Sequence, residues 1–440
     1  MEIEIFCIGG YTEIGKNMTA LKVGDEVVIL DMGIHLEKII GYEEEIEKLS
    51  VNDLIKIGAV PDDKVIDDLK DKVKAIVIGH AHLDHSAAVP YMARKYKNAI
   101  LLGTPYTIEI LNRIADDKKI KLKNEIKVLN VNSFIKISDN FKIEFINMTH
   151  STLQTVMIAV HTPKGVVLYA NDFKFDNSPT LGKKPNYKRL RELEKENVIA
   201  LIVDSTNAEV EGKTSSEKVA REMLCDVLFG TENHGKAVVV TTFSSHIARI
   251  KSIVDFGKRM NRKVVLLGRS LFRYVDAAEK LKLVHLGVEV VGYKNLIKKR
   301  FKIIEKNRNK YLIVCTGNQG EPGSILVTLA DDKLPFKFLS GDHVVFSCRT
   351  IPSSTNEKNR EILEKKLKEK GVRMFKKIHV SGHASKEDLR DLIEMVRPLN
   401  IIPAHGNKEK KVALVELAKE IGYELGKNVH LIDNGKKLVI

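Results

Sequence analysis

Long apolar segments are missing from this chain. No apolar run approaches the roughly 18 residues that a helix needs to span a bilayer. The N-terminal stretch MEIEIFCIGG alternates acidic and apolar residues and lacks the basic head and apolar core of a signal peptide. We therefore expect neither a signal peptide nor a membrane anchor, and no membrane partner.

Cysteine is also scarce. None of the four cysteines has a neighbour at CxxC spacing; they are Cys7, Cys225, Cys315 and Cys348. This scattering argues against a disulfide framework and against cysteine-ligated metal. We expect the thiols to be small apolar fillers and the protein to be cytoplasmic, where thiols stay reduced.

Acidic residues are outnumbered by basic ones. The 72 Lys and Arg against 58 Asp and Glu give a formal net charge of +14, which favours polyanionic partners such as nucleic acid. Part of the excess lies in KNLIKKRFKIIEKNRNK, residues 294–310, where Glu305 is the single acidic residue. Two interpretations stay open for this segment, a solvated helix face and an RNA-contacting surface.

The chain shows no internal repeat and no low-complexity segment, but its character changes along its length. At 440 residues it exceeds one ordinary core, so we expect two or more domains. The first 170 residues are rich in strands, including a hairpin around Pro163 and Gly165. In residues 84–97 apolar side chains recur at the spacing of a helix, so we expect a helix there. From about residue 207, apolar runs end in polar loops, which is typical of a parallel sheet with crossover helices. A capping-box pattern, Thr214 to Glu217, starts the first of these helices.

One near-match to a nucleotide-binding loop follows the first strand. GGYTEIGKN contains Gly10-x4-Gly15-Lys16, one residue short of a P-loop. A P-loop continues with Ser or Thr and a helix, whereas here Asn17 precedes a strand-like segment. The sequence therefore predicts a tight turn between strands.

The segment HAHLDH concentrates four metal-competent side chains: His80, His82, Asp84 and His85. Because side chains alternate along an extended chain, the first two histidines project from the same side. The other two donors begin the next helix and point elsewhere. One ion cannot easily take all four donors, so the spacing predicts two adjacent metal ions.

Three further donors stand where apolar strands stop: His150, Asp172 and His405. We assign His80, His82 and His150 to one ion, and Asp84, His85 and His405 to the other. Asp172 bridges the two ions, and Asp31 is a carboxylate that orients a ligand histidine or the water. Closed structural zinc sites favour cysteine, so this set predicts a catalytic centre holding two Zn²⁺, with Mn²⁺ as an alternative.

This pattern resembles the metallo-β-lactamase superfamily, whose fold is an α/β four-layer αβ/βα sandwich. An inserted parallel-sheet α/β section followed by SGH and PAHG resembles its β-CASP branch, which acts on nucleic acids. The resemblance implies a metallo-β-lactamase domain at 1–206 and 366–440 with a β-CASP domain at 207–365. It also implies that three further motifs fall on Asp204, His383 and His405.

Within that branch, CTGNQGEPGS and HVSGHAS resemble the ribonuclease J family over essentially the whole chain. Because the sequence ends 35 residues after His405, the short archaeal form is the expected match. Two positions depart from the usual pattern, Asn407 in PAHGN and the segment IPSSTNE. Both lie in loops outside the set of metal donors.

The resemblance implies a two-metal 5'-to-3' exoribonuclease that releases nucleoside 5'-monophosphates, with some endonuclease activity. His383 then hydrogen-bonds a phosphate oxygen, Asp204 holds His383, and Asp84 and Asp172 fix the attacking water. The implied partner is single-stranded RNA, preferably 5'-monophosphorylated, and the implied assembly is a homodimer or larger homo-oligomer. Loop residues that could bind the 5'-phosphate are Ser381, Ser385, Ser245, His246 and Arg269.

Three alternatives remain. An endonuclease resembling the cleavage and polyadenylation factor shares the ligands, but its archaeal versions carry N-terminal RNA-binding modules. A small-molecule hydrolase lacks the inserted section and the basic charge. A non-catalytic RNA-binding scaffold is expected to lose metal donors, and all seven are present here.

Overall fold

The structure is a computed structural model that describes residues 2–39 and 49–440. The described chain forms two compact units. The first comprises 2–39, 49–177, 183–214 and 381–440, and the second comprises 178–182 and 215–380.

Strands and helices alternate along the described chain. The strands are β1 (Ile3–Gly9), β2 (Met18–Val23), β3 (Glu26–Leu30), β4 (Val73–Ile78), β5 (Ile100–Gly103), β6 (Ile126–Val128), β7 (Ser133–Lys136), β8 (Lys142–Asn147), β9 (Val156–Thr162), β10 (Gly165–Ala170), β11 (Val198–Asp204), β12 (Val238–Thr241), β13 (Lys263–Leu267), β14 (Glu289–Val291), β15 (Tyr311–Cys315), β16 (His343–Phe346), β17 (Arg373–Phe375), β18 (Ile401–Ala404) and β19 (Lys436–Val439). The helices are α1 (Leu36–Ile39), α2 (Val51–Lys56), α3 (Leu83–Ser86), α4 (Val89–Met92), α5 (Pro105–Asp117), α6 (Tyr187–Leu193), α7 (Glu217–Gly230), α8 (Ile247–Arg259), α9 (Arg269–Lys280), α10 (Lys294–Glu305), α11 (Ile325–Ala330), α12 (Ser354–Glu369), α13 (Lys386–Val396) and α14 (Lys408–Glu420).

The first unit is a four-layer sandwich. Its two sheets run in the orders β19-β1-β2-β3-β4-β5-β6 and β18-β11-β10-β9-β8-β7. One apolar core lies between the sheets. A second core joins the first sheet to α2, α4 and α5, and a third joins the second sheet to α6, α13 and α14. The predicted αβ/βα architecture is confirmed.

Strand β1 shows how the sequence builds these layers. Ile3, Ile5 and Cys7 belong to the core between the sheets, whereas Phe6 and Ile8 pack toward the helices. This division follows from the two-residue period of a strand. Burying one such side chain contributes roughly 1.5 to 3 kcal/mol, so a one-residue register slip in β1 is strongly disfavoured.

The second unit contains one parallel sheet in the order β14-β13-β15-β12-β16-β17. Its central strands are buried on both faces, as expected when helices cover both faces of a sheet. Helices α10, α11 and α12 share an apolar core with one face of this sheet.

The boundaries between the units differ from the positions proposed from the sequence, 206/207 and 365/366. The units divide after Thr214 and after Val380. Residues 366–380 contain β17, which pairs with β16 of the parallel sheet, so this stretch belongs to the second unit.

Two local expectations were wrong. The helix expected over residues 84–97 is broken into α3, α4 and a 3₁₀ turn, and Pro90 lies at the start of α4. The N-cap of α7 is Ser216 and not Thr214. The Thr214 hydroxyl instead donates a hydrogen bond to the carbonyl of His383.

The described residues include no helix that is both long enough and apolar enough to cross a membrane. The four cysteines are free, and Cys7, Cys315 and Cys348 are buried.

Candidate metal centre

The ends of four strands position the candidate donors in the first unit. Asp31 directly follows β3, and His80, Asp172 and His405 follow β4, β10 and β18 by one or two residues. Asp31, Asp172 and His405 have φ of 59°, 57° and 52°. This left-handed conformation is uncommon for residues with a Cβ and recurs at functional sites. It turns the chain sharply where each strand stops.

One group of donors contains His80, His82, His150 and Asp172, whose ligand atoms all lie within 4.8 Å of one another. Nε2 of His150 lies 3.0 Å from Nδ1 of His82. Oδ2 of Asp172 lies 3.5 Å from Nε2 of both His80 and His150. The sequence placed these three histidines on one ion, and the structure brings them together.

A second group contains Asp84, His85, His405 and Asp172. Oδ2 of Asp172 lies 3.2 Å from Nε2 of His85, and its Oδ1 lies 3.4 Å from Nε2 of His405. Oδ2 of Asp84 is 3.7 Å from Nε2 of each of these two histidines. Asp172 therefore belongs to both groups and can join them.

Hydrogen bonds to Nδ1, on the side of the ring that faces away from the other donors, orient two of the histidines. Nδ1 of His85 lies 2.6 Å from Oδ2 of Asp31, which also accepts a bond from the Tyr169 hydroxyl at 3.0 Å. Nδ1 of His150 lies 2.6 Å from the carbonyl of Gly382. Because a carboxylate and a carbonyl can only accept, Nδ1 of each ring carries a proton, and Nε2 is the ring atom turned toward the other donors.

The electrostatics of the two groups differ. Burial lowers the pKa of His80, and burial with the neighbouring histidines lowers the pKa of His82 well below its ordinary value. These two rings are therefore in the neutral form that metal binding needs. For His85, burial also lowers the pKa, but the Asp172, Asp84 and Asp31 carboxylates outweigh burial and raise it well above the ordinary value.

The buried polar atoms of the site fit a cation. Within the described residues, both ring nitrogens of His80 and Oδ1 of Asp172 are buried without a hydrogen-bond partner. Such atoms are costly to leave unpaired. A donor set of five imidazoles and two carboxylates suits zinc and also accepts manganese.

His383 and Asp204 form a third possible donor group together with Asp172 and His405. Nδ1 of His383 lies 2.8 Å from Oδ2 of Asp204, the buried last residue of β11. The His383 ring stacks on His405 with centroids 5.8 Å apart. Burial lowers the pKa of His383, but the Asp204 and Asp172 carboxylates outweigh it and raise the pKa to about 9. His383 is thus a hydrogen-bond donor at the edge of the site.

The structure divides the five residues suggested for a 5'-phosphate. Ser381 and Ser385 flank His383 in the first unit, where Ser385 is the N-cap residue of α13 and its hydroxyl lies 2.8 Å from that of Thr214. Ser245, His246 and Arg269 belong to the second unit, next to the starts of α8 and α9. Their shared role therefore remains a proposal.

Sequence reasoning missed three buried residues that support the donors: Asn17, Tyr169 and Asn171. The amide group of Asn171 donates to the Tyr169 hydroxyl and to Oδ1 of Asn17. Tyr169 and Asn171 could have been suspected because they lie three residues and one residue before Asp172. No motif marked Asn17, since the turn around it resembles a P-loop but lacks the Ser or Thr that a P-loop needs.

Three family models match successive parts of the chain, and the third begins at residue 369, within the second unit. Family models match at residues 11–204 (metallo-β-lactamase superfamily), 235–364 (ribonuclease J, β-CASP domain) and 369–431 (Zn-dependent metallo-hydrolase RNA specificity domain). A crystal structure of a protein of unknown function from Enterococcus faecalis V583 shares the fold over 100% of both chains, with a TM-score of 0.67 and 16% identity.

Curated relatives extend the match over the whole chain. Ribonuclease J of Methanocaldococcus jannaschii is 44% identical, with 100% of this chain and 99% of the relative covered. Ribonuclease J of Pyrococcus abyssi is 43% identical over 98% of this chain and 96% of the relative. Ribonuclease J 1 of Streptococcus pyogenes is 30% identical over 100% of this chain and 74% of the relative. The chain belongs to the ribonuclease J family, in the β-CASP branch of the metallo-β-lactamase superfamily.

Proposed function

We propose that this chain, by its family a metal-dependent ribonuclease, degrades single-stranded RNA from the 5' end and releases nucleoside 5'-monophosphates. The observation that carries the proposal is the position of Asp172, which is shared by the two histidine-rich donor groups and by a third that contains Asp204, His383 and His405. Within that third group, Nδ1 of His383 lies 2.8 Å from Oδ2 of Asp204. Such an arrangement suits hydrolysis of a phosphodiester.

We assign His80, His82 and His150 to one ion, Asp84, His85 and His405 to the other, and Asp172 to both. Two divalent ions held there would lower the pKa of water and offset charge on the reacting phosphate. We take the ions to be Zn²⁺, with Mn²⁺ accepting the same donors.

The remaining steps belong to this chain's own groups. The Asp204 carboxylate holds the Nδ1 proton of His383, so Nε2 of the ring is directed away from Asp204 and toward the substrate. From there His383 donates a hydrogen bond to a non-bridging phosphate oxygen and offsets the charge that develops as the phosphorus–oxygen bond to the leaving 3'-oxygen breaks.

The RNA partner is supported by charge. Helix α10 buries Ile297, Phe301 and Ile304 and exposes lysines on its opposite face. Within the described chain, Lys298, Lys299 and Lys302 form no ion pair. A row of uncompensated lysines on one helix favours contact with an RNA backbone over a balanced, solvated face.

The direction of degradation requires recognition of the 5' end. We propose that Ser381 contributes to this recognition, because its hydroxyl lies beside His383 and accepts a hydrogen bond from Asn207 at 2.8 Å. Ser385, Ser245, His246 and Arg269 stay weaker candidates. A homodimer or larger homo-oligomer and a cytoplasmic location complete the proposal.

Incubation with two RNAs of the same sequence tests this function. One carries a 5'-monophosphate and the other a 5'-triphosphate, and each is labelled at its 5' end. We expect labelled mononucleotide from the first RNA and slower release from the second. Internal fragments from both RNAs would instead favour the endonuclease, and intact RNA with metal-loaded protein would favour the scaffold.

A further inference from the structure

Asn17 contacts the second group of candidate donors, although no sequence motif marked it for that role. It is 1% exposed, in the turn between β1 and β2. Its backbone N–H donates to the carbonyl of Asp84 at 3.0 Å, and its own carbonyl accepts from the N–H of Gly33 at 3.0 Å. The backbone of Asn17 is therefore fixed on the HAHLDH segment.

The side chain of Asn17 makes four polar contacts. Its Nδ2 donates to the carbonyl of Asp84 at 3.0 Å and lies 3.1 Å from Nε2 of His85. Its Oδ1 lies 2.9 Å from Nδ1 of His405 and accepts from Nδ2 of Asn171 at 3.1 Å. Every one of these partners either is a candidate ligand or adjoins one.

These contacts fix which way the amide points. The carbonyl of Asp84 can only accept, so the atom facing it must be the NH₂ group of Asn17. The Oδ1 atom then faces His405 and can only accept. Nδ1 of His405 must therefore carry its proton, and Nε2 of His405 keeps its lone pair for a cation.

The surrounding backbone leaves room for this amide and little else. A Cβ at Gly10, where φ is +87°, would stand 2.2 Å from Oδ1 of Asn17. The carbonyl of Gly10 accepts a bond from the N–H of His405 at 2.6 Å. The turn that resembles a P-loop thus holds His405 at its backbone and at its ring.

We propose that Asn17 is a positioning residue for the second donor group, and that it sets the tautomer of His405 and the placement of Asp84 and His85 for one of two metal ions. This inference rests on the proposed two-metal function. It concerns one group only, because in the described chain the side chain of Asn17 hydrogen-bonds to none of His80, His82 and His150.

Metal binding without RNA tests the inference. The full-length protein is stripped with a chelator and titrated with Zn²⁺ against a chromophoric competitor. We expect the unsubstituted chain to bind two ions, and Asn17→Ala to bind one ion normally and the other about 10- to 100-fold more weakly, the usual cost of losing a hydrogen bond behind a ligand. Asn17→Asp keeps an acceptor for His405 and should retain the second ion better than Asn17→Ala.

Asn124→Ala is the matched control. Asn124 is also a buried asparagine of the first unit, and its amide donates to the carbonyls of Tyr96 and Ala99, away from the donors. We expect this control to lose thermal stability without losing either ion.

The outcomes separate the two proposals. If the unsubstituted chain fails to bind two ions, the two-metal function falls. If it binds two and Asn17→Ala binds both with unchanged affinity, or weakens both equally, the positioning role of Asn17 is overturned. If thermal melting shows that Asn17→Ala does not fold, the isosteric variant Asn17→Asp replaces it. In that variant we expect ¹⁵N NMR to show the Nδ1–H signal of His405. Loss of this signal while both ions still bind with full affinity would contradict the proposal.

Discussion

Nδ1 of His383 lies 2.8 Å from Oδ2 of Asp204, and these two residues form a further possible donor group with Asp172 and His405, outside the six-residue HAHLDH segment. The carboxylate fixes the ring so that its other nitrogen faces away from Asp204. If His383 contacts the substrate as we propose, mutation of this residue should separate catalysis from metal binding.

His383→Ala is expected to lower kcat by roughly 10²- to 10⁴-fold, because it removes one donor to the phosphate. Metal content, measured by elemental analysis, should stay unchanged. His161→Ala is the matched control, since His161 also pairs with a carboxylate, Glu144, at 2.8 Å in the same unit. Equal activity, or loss of both metal ions, would contradict the role of His383.

Asp172→Ala is expected to lower the affinity for both metal ions, whereas His82→Ala and His405→Ala should each weaken one ion. The reason is that the Asp172 oxygens approach histidines of both groups. Metal stoichiometry after dialysis distinguishes the three variants. Asp63→Asn, a change at a buried carboxylate bonded to Lys95 and Tyr96, provides the control. If Asp172→Ala retained one ion at full affinity, the bridging assignment would be wrong.

Glu144 should make the stability of the first unit depend on pH. Burial by itself raises its pKa, but hydrogen bonds from His161 and Arg189 outweigh burial and lower the pKa from 4.5 to about 2. Because the folded-state pKa lies below the unfolded value, the ionised carboxylate stabilises the fold above pH 4.5. That contribution is lost as the pH falls from 4.5 to about 2.

Glu144→Gln is expected to destabilise the fold at pH 7 by roughly 1 to 3 kcal/mol, because solvent screens part of the interaction, and by much less near the lower end of that pH range. Urea unfolding of the metal-free protein at several pH values measures the difference. Glu125→Gln is the control, because the Glu125 side chain is 66% exposed. A cost at Glu144 that does not change with pH would rule out this linkage.

Reversing the charge of Lys298, Lys299 and Lys302 to Glu is expected to weaken RNA binding and to lower the slope of log K against log salt by up to about 3, because each lysine neutralises about one phosphate. Cleavage of a very short RNA should change less. The control carries the same reversal at Lys64, Lys188 and Lys427, whose side chains are 85%, 88% and 70% exposed. Equal effects of the two triple variants would indicate a general charge effect and a merely solvated face on α10.

Much of this protein could be predicted from short sequence patterns. The spacing of HAHLDH places four donors in six residues, and the alternation in β1 assigns its side chains to two cores. The apolar runs ending in polar loops likewise predicted the parallel sheet of the second unit. These features depend on local geometry, namely the period of a strand and the turn that follows it.

The tertiary structure decided which distant segments of the chain come into contact. That His150, Asp172 and His405 come within reach of HAHLDH follows from which strands are neighbours in the two sheets. The hydrogen bonds of Asn17 to His405 and of Tyr169 to Asp31 join residues 388 and 138 positions apart. Local spacing holds no information on such pairs, because the packing of two sheets against each other sets their distance, and only the folded chain shows that the turn GGYTEIGKN supports the metal centre.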